Sequence, residues 1–339
     1  MKARKVVIYG KEDVRIIDYD IDENNLDKDD VLIETEISLI SAGTELSRVF
    51  ALKKGATYPV YPGYCSVGRV LKTGENSTEV KAGDRVMFSG SHASALLFNR
   101  VKSDGGTLYK LKDETDSKDA VFMVMCWIAM NGILPAEVKL GDNVAIMGLG
   151  TLGIITALYY QLAGCNVLCF DLSEARCKLA QKMGVINVCN CSPEEQVEKA
   201  MKYFGSDGAD IAVDATGNSR CIMTAVEMTG KYGQLLLLGS PRETVEADVS
   251  IPFYAIHSKM LKVIGALNRK YPFYPEKGNR ISIKRYLAYI EKLLNEGKLP
   301  VNKIISHVIE PDENVLLEAY RGLMYKKDEY TGVIIDWSR

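Results

Sequence analysis

Histidine is scarce in this 339-residue chain, with His92, His257 and His307 the only three. Enzymes of this size often build metal sites from histidine and cysteine together, so the shortage narrows where such a site could lie. Cysteine is present eight times, but no two cysteines are spaced C-x-x-C. Six of them fall between Cys165 and Cys221, in segments that read as buried strands and helices. They are expected to act as small hydrophobes in a reduced, cytoplasmic protein. No charge of one sign dominates: 42 basic residues against 44 acidic give a net charge of −2. That balance argues against a nucleic-acid-binding surface. The apolar run near the start, Val6 to Tyr9, is four residues long and stops at Gly10. It is too short for a secretory signal, and none is expected. The stretch from Val144 to Phe170 carries no charge, but Gly148, Gly150, Gly153, Gln161, Gly164 and Asn166 interrupt it. It divides into strand, turn, helix, turn and strand more readily than it forms a membrane span. No internal repeat or low-complexity segment is present.

What remains is an ordinary globular composition, 47% hydrophobic and 25% charged, with length for about two domains. Residues 1–118 hold short apolar or alternating runs separated by glycine and charged turns, which predicts an irregular all-β domain. Residues 119–268 alternate strand and helix patterns, which predicts an α/β, doubly wound parallel sheet. Its expected elements include strands at Val144–Met147, Asn166–Phe170, Val185–Asn190, Ile211–Ala215, Gln234–Gly239 and Met260–Gly265. Helices are expected at Thr151–Ala163, Ser173–Met183, Ser192–Tyr203 and Arg220–Met228. Residues 269–339 carry helical patterns at Ser282–Leu294 and Glu313–Leu323 and strand patterns at Ile304–Ile309 and Gly332–Asp336. The Asn268–Arg280 segment, with Pro272, Pro275 and Gly278, reads as a mobile or lid-like loop.

Gly148-Leu149-Gly150-Thr151-Leu152-Gly153 matches G-x-G-x-x-G. Alone the match is weak; a buried strand before it and a helix after it strengthen it. The first glycine permits the turn, the second lets a pyrophosphate approach the backbone, and the third lets helix and strand pack closely. The phosphates would sit on the helix N-terminus. Eighteen residues past Gly153 the next strand ends in Asp171, where a carboxylate would accept from an adenosine ribose. An anion there repels a 2′-phosphate, so NAD(H) is expected over NADP(H). The competing reading makes Asp171 a helix cap ahead of Ser173. Arg176 could cover the adenine or simply lie on a solvated helix face.

Several motifs together carry a resemblance. They are Ser41-Ala42-Gly43-Thr44-Glu45, Tyr61-Pro62-Gly63-Tyr64-Cys65-Ser66-Val67-Gly68, Lys81-Ala82-Gly83-Asp84-Arg85-Val86, the Gly148–Gly153 turn, Asp210–Gly217, and the closing Gly332-Val333-Ile334-Ile335. Over nearly its whole length the chain resembles the medium-chain dehydrogenase/reductases, the zinc alcohol dehydrogenase superfamily. The resemblance implies a GroES-like β-rich catalytic domain, discontinuous over 1–118 and 269–339, and a Rossmann NAD(H)-binding domain over 119–268. It places Thr216, Gly239 and Leu267 beside the nicotinamide.

The same resemblance implies that the usual metal is missing. Zinc-dependent members carry a cysteine where this chain has Ala42, Gly-His-Glu where it has Gly63, Tyr64 and Cys65, and a third ligand near Val124. The four cysteines of the structural-zinc lobe have no counterpart. Alanine and valine cannot coordinate, and a phenol is a poor zinc ligand beside imidazole or thiolate. Neither catalytic nor structural zinc is expected. Among zinc-lacking branches the chain is similar to the one containing the hydroxyethyl bacteriochlorophyllide dehydrogenases.

Without a Lewis acid, hydrogen-bond donors must stabilise the charge that develops on substrate oxygen. Thr44 matches a hydroxyl that relays a proton in zinc-dependent relatives. Tyr64 occupies the lost histidine position; the bland reading makes it a gap-filling aromatic. His92 follows a strand that lines the active site in the family and is the third catalytic candidate; the bland reading is a surface-loop histidine. Glu45 is expected to support these residues without touching substrate. The leading expectation is an NAD(H)-dependent dehydrogenase or ketoreductase acting on a secondary alcohol or ketone, such as a polyol, a sugar derivative or a larger natural product. A reductase of polarised C=C bonds and a non-catalytic nucleotide-binding protein are the alternatives. Relatives are dimers or tetramers, and the apolar runs Gln234–Leu238 and Leu261–Gly265 could form a homo-oligomer contact.

Overall fold

A computed structural model describes residues 1–52, 55–102, 106–241, 245–267 and 271–338. The chain divides into two compact units, Met1–Val124 with Tyr271–Arg339, and Met125–Lys270.

The first unit opens with β1 (Lys2–Gly10) and β2 (Asp13–Asp20), an antiparallel pair. β3 (Asp30–Leu39) follows, then α1 (Ala42–Val49), β4 (Ser66–Thr73), β5 (Arg85–Phe88), β6 (Ala95–Asn99), β7 (Leu108–Lys110) and the short α2 (Ser117–Ala120). The all-β expectation for this stretch fails at α1 and α2. α1 buries Glu45, Leu46 and Val49 on one face. Eight residues are too few for helical periodicity to stand out from a strand-rich background.

In the second unit α3 (Met123–Met130) leads to β8 (Asn143–Met147), α4 (Thr151–Leu162), β9 (Asn166–Asp171), α5 (Glu174–Met183) and β10 (Val188–Asn190). Then come α6 (Pro193–Phe204), β11 (Ala209–Asp214), α7 (Ser219–Met228), β12 (Thr229–Leu237), α8 (Ser250–Lys259) and β13 (Lys262–Gly265). All ladders of this sheet are parallel, in the order β10-β9-β8-β11-β12-β13. The order reverses between β8 and β11, the switch point where doubly wound sheets bind ligands at the carboxyl ends of their strands. Ala145, Met147, Leu168, Phe170, Ala212 and Leu235 are among its core residues. The strand expected over Val185–Asn190 is shorter, and α8 has no counterpart among the expected helices. No residue of α8 is buried, so it has no apolar stripe to show a period.

The chain then returns to the first unit as α9 (Ile283–Asn295), β14 (Ile305–Ile309), α10 (Glu313–Tyr325) and β15 (Gly332–Asp336). β15 joins β3, giving a seven-stranded sheet in the order β14-β15-β3-β4-β5-β7, with β6 also on β3. Leu316, Tyr320, Val333 and Trp337 from this return pack with Val6, Ile8 and the α1 residues Leu46 and Val49. Of the loop expected to be mobile, Asn268–Lys270 lies outside the described residues. The remainder is pinned: the Tyr274 hydroxyl donates to Glu79 at 2.7 Å, and the Arg100 guanidinium lies 4.1 Å from the Phe273 ring centre. Among the described residues no helix is long and apolar enough to cross a membrane.

Candidate functional site

The glycine turn of the second unit has the geometry its spacing demands. Gly148 sits at φ +91°, and a Cβ there would meet the Thr216 Cγ2 at 2.6 Å. A Cβ on Gly153 would meet the Gly148 carbonyl oxygen at 1.8 Å, so α4 packs on β8 only with glycine at this position. Gly150 differs: a Cβ there would meet nothing within 4 Å. That space lies at the N-terminus of α4, which has no side-chain cap. Among the described residues nothing accepts from the amides of Thr151, Leu152 and Gly153. Unpaired amides, the helix dipole and open space are what an anionic phosphate group fits.

Asp171, the last residue of β9, accepts from the Leu149 amide at 2.7 Å through one oxygen and from the Ser173 amide at 2.8 Å through the other. The carboxylate is thereby fixed against the glycine turn, and each oxygen keeps a lone pair for a ribose hydroxyl. Ser173, not Asp171, caps α5: its hydroxyl accepts from the Arg176 amide at 3.2 Å. Arg176 stands partly exposed in the first turn of that helix.

Of the residues assigned to the nicotinamide side, Leu267 is 70% exposed just after β13. Thr216 and Gly239 have internal roles. The Thr216 hydroxyl donates to the buried Asp214 carboxylate at 2.5 Å, and that carboxylate also accepts the Thr216 and Gly217 amides. Burial raises the Asp214 pKa, and these three hydrogen bonds partly offset the rise. Gly239 packs so closely that a Cβ would lie 2.1 Å from the Gly217 nitrogen. Its missing side chain serves backbone packing.

In the first unit, the loop before β4 brings Tyr64 to the N-terminal end of α1. The Tyr64 phenol is hydrogen-bonded to the Ser41 hydroxyl. Ser41 is buried, whereas Thr44 is exposed. Burial raises the Tyr64 pKa well above its usual value, and Cys65 adds to the rise. The nearby hydroxyls, that of Ser41 first, offset only part of it. The phenol stays protonated at neutral pH and is a donor, not a base.

Behind this cluster lies a fully buried polar chain. Glu45 accepts the Ser41 amide at 2.7 Å through Oε1, and the Tyr320 hydroxyl at 2.6 Å through Oε2. His92 Nε2 lies 3.0 Å from Glu45 Oε2, and Nδ1 lies 2.8 Å from the Ser38 hydroxyl. The Trp337 indole, which can only donate, gives its hydrogen to Ser38 at 2.9 Å. With Ser38 donating to Nδ1 and Nε2–H donating to Glu45 Oε2, all of these bonds are satisfied together. The structure corrects the expectation that His92 handles the substrate proton by contact. Its ring is 0% exposed and both nitrogens are taken, so it supports Glu45 instead. It is equally not a surface-loop histidine. Glu45 is buried, with its carboxylate turned away from solvent.

The donors at the metal positions do not fit zinc. Ala42 and Val124 offer no ligand atom, and Tyr64 is a neutral phenol hydrogen-bonded to the Ser41 hydroxyl. Among the described residues no group of three or more His, Cys, Asp or Glu could hold a metal ion. Sequence reasoning missed Ser38, Ser41, Tyr320 and Trp337. Ser41 stands inside one of the family motifs, but the other three meet the loop only through tertiary packing.

The zinc-binding dehydrogenase family model matches residues 151–279. A sorbitol dehydrogenase of Bombyx mori is 24% identical, covering 89% of this chain and 90% of its own. The galactitol-1-phosphate dehydrogenase of Escherichia coli superposes with TM-score 0.82 at 19% identity, covering 98% of this chain and 99% of that one. These likenesses, over nearly the whole chain, are to the medium-chain dehydrogenase/reductase superfamily. The chain's mixed α/β fold, a parallel sheet and a separate β-rich unit, is the superfamily fold. A Sinorhizobium meliloti 1021 member, bound to NADP, superposes with TM-score 0.77 at 18% identity, covering 99% of each chain. The family match spans none of Ala42, Tyr64, Cys65 and Val124, so it carries no information about the metal positions of this chain.

Proposed function

We propose that this chain is an NAD(H)-dependent oxidoreductase that interconverts a secondary alcohol and its ketone, with a polyol-like substrate, and that it does so without catalytic zinc. The observation that carries the reading is the uncapped N-terminus of α4, open at Gly150, with the Asp171 carboxylate fixed against the same turn. Thr151, Leu152 and Gly153 would hold the pyrophosphate by their amides, and Asp171 would take the adenosine ribose. An ionised Asp171 disfavours a 2′-phosphate by like-charge repulsion, which favours NAD(H). Bound nicotinamide supplies the hydride chemistry.

The remaining work falls to the first unit. Tyr64 keeps its proton and offers it as a hydrogen bond to substrate oxygen, stabilising negative charge as it develops there. Thr44 is exposed in the first turn of α1, and its hydroxyl would relay that proton. The dehydrogenase names of the relatives, sorbitol and galactitol-1-phosphate among them, support a substrate rich in hydroxyls.

A panel of polyols with NAD⁺ and of ketones and enones with NADH, repeated with the phosphorylated cofactors, tests the proposal by absorbance at 340 nm. Turnover of a polyol–ketone pair, faster with NAD(H), in protein with far below one zinc per chain by elemental analysis, is the expected result. Enone turnover with NADPH would favour the C=C reductase, and NAD⁺ binding without any turnover would favour a non-catalytic protein. Stoichiometric zinc would overturn the metal-free part.

A further inference from the structure

Two amides hold the Asp171 carboxylate, and two side chains hold its main chain. The Asp171 carbonyl accepts from Asn190 Nδ2 at 3.0 Å and from the Cys177 thiol at 3.7 Å. Asn190 is the last residue of β10 and stands opposite Asp171 in the parallel ladder with β9. Cys177 reaches the same carbonyl from α5. A thiol is a weak donor and an amide nitrogen an ordinary one, so Asn190 is the stronger of the two. One residue earlier, the Phe170 carbonyl accepts the Gly148 amide at 2.8 Å. The end of β9 is thus tied to the glycine turn on one side and to β10 on the other.

The direction of a carbonyl fixes the plane of the peptide it belongs to. Holding the Asp171 carbonyl therefore holds the peptide between Asp171 and Leu172. That peptide leads straight to the Ser173 amide, which Asp171 Oδ1 accepts. Leu172 is 67% exposed, so burial does not anchor the turn. We infer that Asn190 is a positioning residue for cofactor choice: its side chain fixes the Asp171 turn, and through it the carboxylate, in the orientation that favours NAD(H) and opposes a 2′-phosphate. This rests on the reading of Asp171 as the ribose-binding residue. Asn190 needs no contact with the cofactor. A carboxylate released to rotate bonds the ribose less well and carries its charge away from a 2′-phosphate, so affinity for NADH falls as the penalty on NADPH shrinks.

The test uses the full-length protein, native and as Asn190→Ala, Asp171→Ala and the pair. Kd for NADH and for NADPH is read from the fluorescence of the reduced nicotinamide, so no substrate is needed. Asn190 is exposed, and its truncation should leave the circular dichroism spectrum native. The native chain should bind NADH more tightly than NADPH. Asn190→Ala should weaken NADH by about fivefold, as expected for one lost hydrogen bond, while the Kd for NADPH holds or improves. In the Asp171→Ala background the same substitution should leave the ratio of the two Kd values unchanged, because the group it positions is gone. Native Kd values in Asn190→Ala overturn the inference. So does weakening of both cofactors in equal proportion, or a change of ratio as large without Asp171 as with it. A native chain that binds neither cofactor, or an Asp171→Ala variant with the native ratio, fails the reading of Asp171 and the inference with it.

Discussion

The His92 ring joins two buried polar groups that have few other ways to be satisfied. Ser38 is 0% exposed and Glu45 is 2% exposed, and each faces one ring nitrogen. Truncating the ring leaves a carboxylate with one hydrogen-bond donor fewer in a site that water does not reach. Leaving a buried acceptor without its hydrogen-bond donor costs about 1–3 kcal/mol, because the orphaned group keeps its desolvation penalty. His92→Ala is therefore expected to lower the unfolding free energy of the first unit by an amount of that order, and its denaturant midpoint with it. Chemical denaturation followed by tryptophan fluorescence reads it directly, since Trp337 is bonded to the same Ser38. A variant that loses turnover but keeps the native midpoint would show that His92 acts on substrate and not on its neighbours. At this scale much of the candidate site is legible without the structure: the glycine turn, Asp171, Thr44, Tyr64 and Glu45 all follow from spacing or resemblance. What is not legible is contact. Glu45 meets Tyr320 across 275 residues of chain and Ser38 meets Trp337 across 299. No local pattern encodes pairs so distant.

Among elements, the segment from Tyr271 to Arg280 shows how charge replaces regular structure. It is pinned through Glu79, which accepts from Tyr274 and pairs with Arg100 and Lys284. Burial alone would raise the Glu79 pKa; hydrogen bonds from Lys284, Arg100 and Tyr274 outweigh it and bring the carboxyl from 4.5 down to about 2. A carboxylate with a lowered folded-state pKa adds stability above its unfolded value and loses that contribution as pH falls through the folded one. Glu79→Gln should therefore be less stable than the native chain at pH 7. The gap should narrow as pH falls from 4.5 toward about 2, where the native residue becomes neutral too. Denaturant midpoints of both proteins across that range check it, and a gap that does not change with pH would mean that Glu79 does not anchor the segment. A lid-like reading of this segment fails because prolines and glycine report the lack of a helix or strand, not the lack of anchors. α1 and α8 escape the sequence pattern for a related reason. α1 is short, and α8 buries nothing, so neither carries the amphipathic period that marks α9, with Leu287, Ile290 and Leu294 buried on one face.

For the whole molecule, the second unit leaves an edge with which no described strand pairs. β13 ends the six-stranded sheet, and it contains no proline and no bulge. Val263 on it is 44% exposed, and its one charge, Lys262, is paired with Glu137 at 2.6 Å. Nearby in the chain, Ile251, Phe253 and Tyr254 of α8 are more than 60% exposed. Edge strands of monomers are usually blunted by charge, proline or a covering element. Here none of these protects the strand among the described residues, and apolar side chains accompany it, as at an interaction surface. The opposite edge, β10, is three residues long and offers little to pair with. One long-enough edge on this sheet closes in a two-fold pair and does not propagate, so the expected state is a homodimer joined at β13. Val263→Lys would set equivalent cations near one another across such an axis and is expected to yield monomers, with the fold of each chain intact because the position is solvent-facing. Sedimentation velocity with circular dichroism distinguishes the outcomes. A native chain that sediments as a monomer removes the premise, and a Val263→Lys variant that stays dimeric moves the contact to another face.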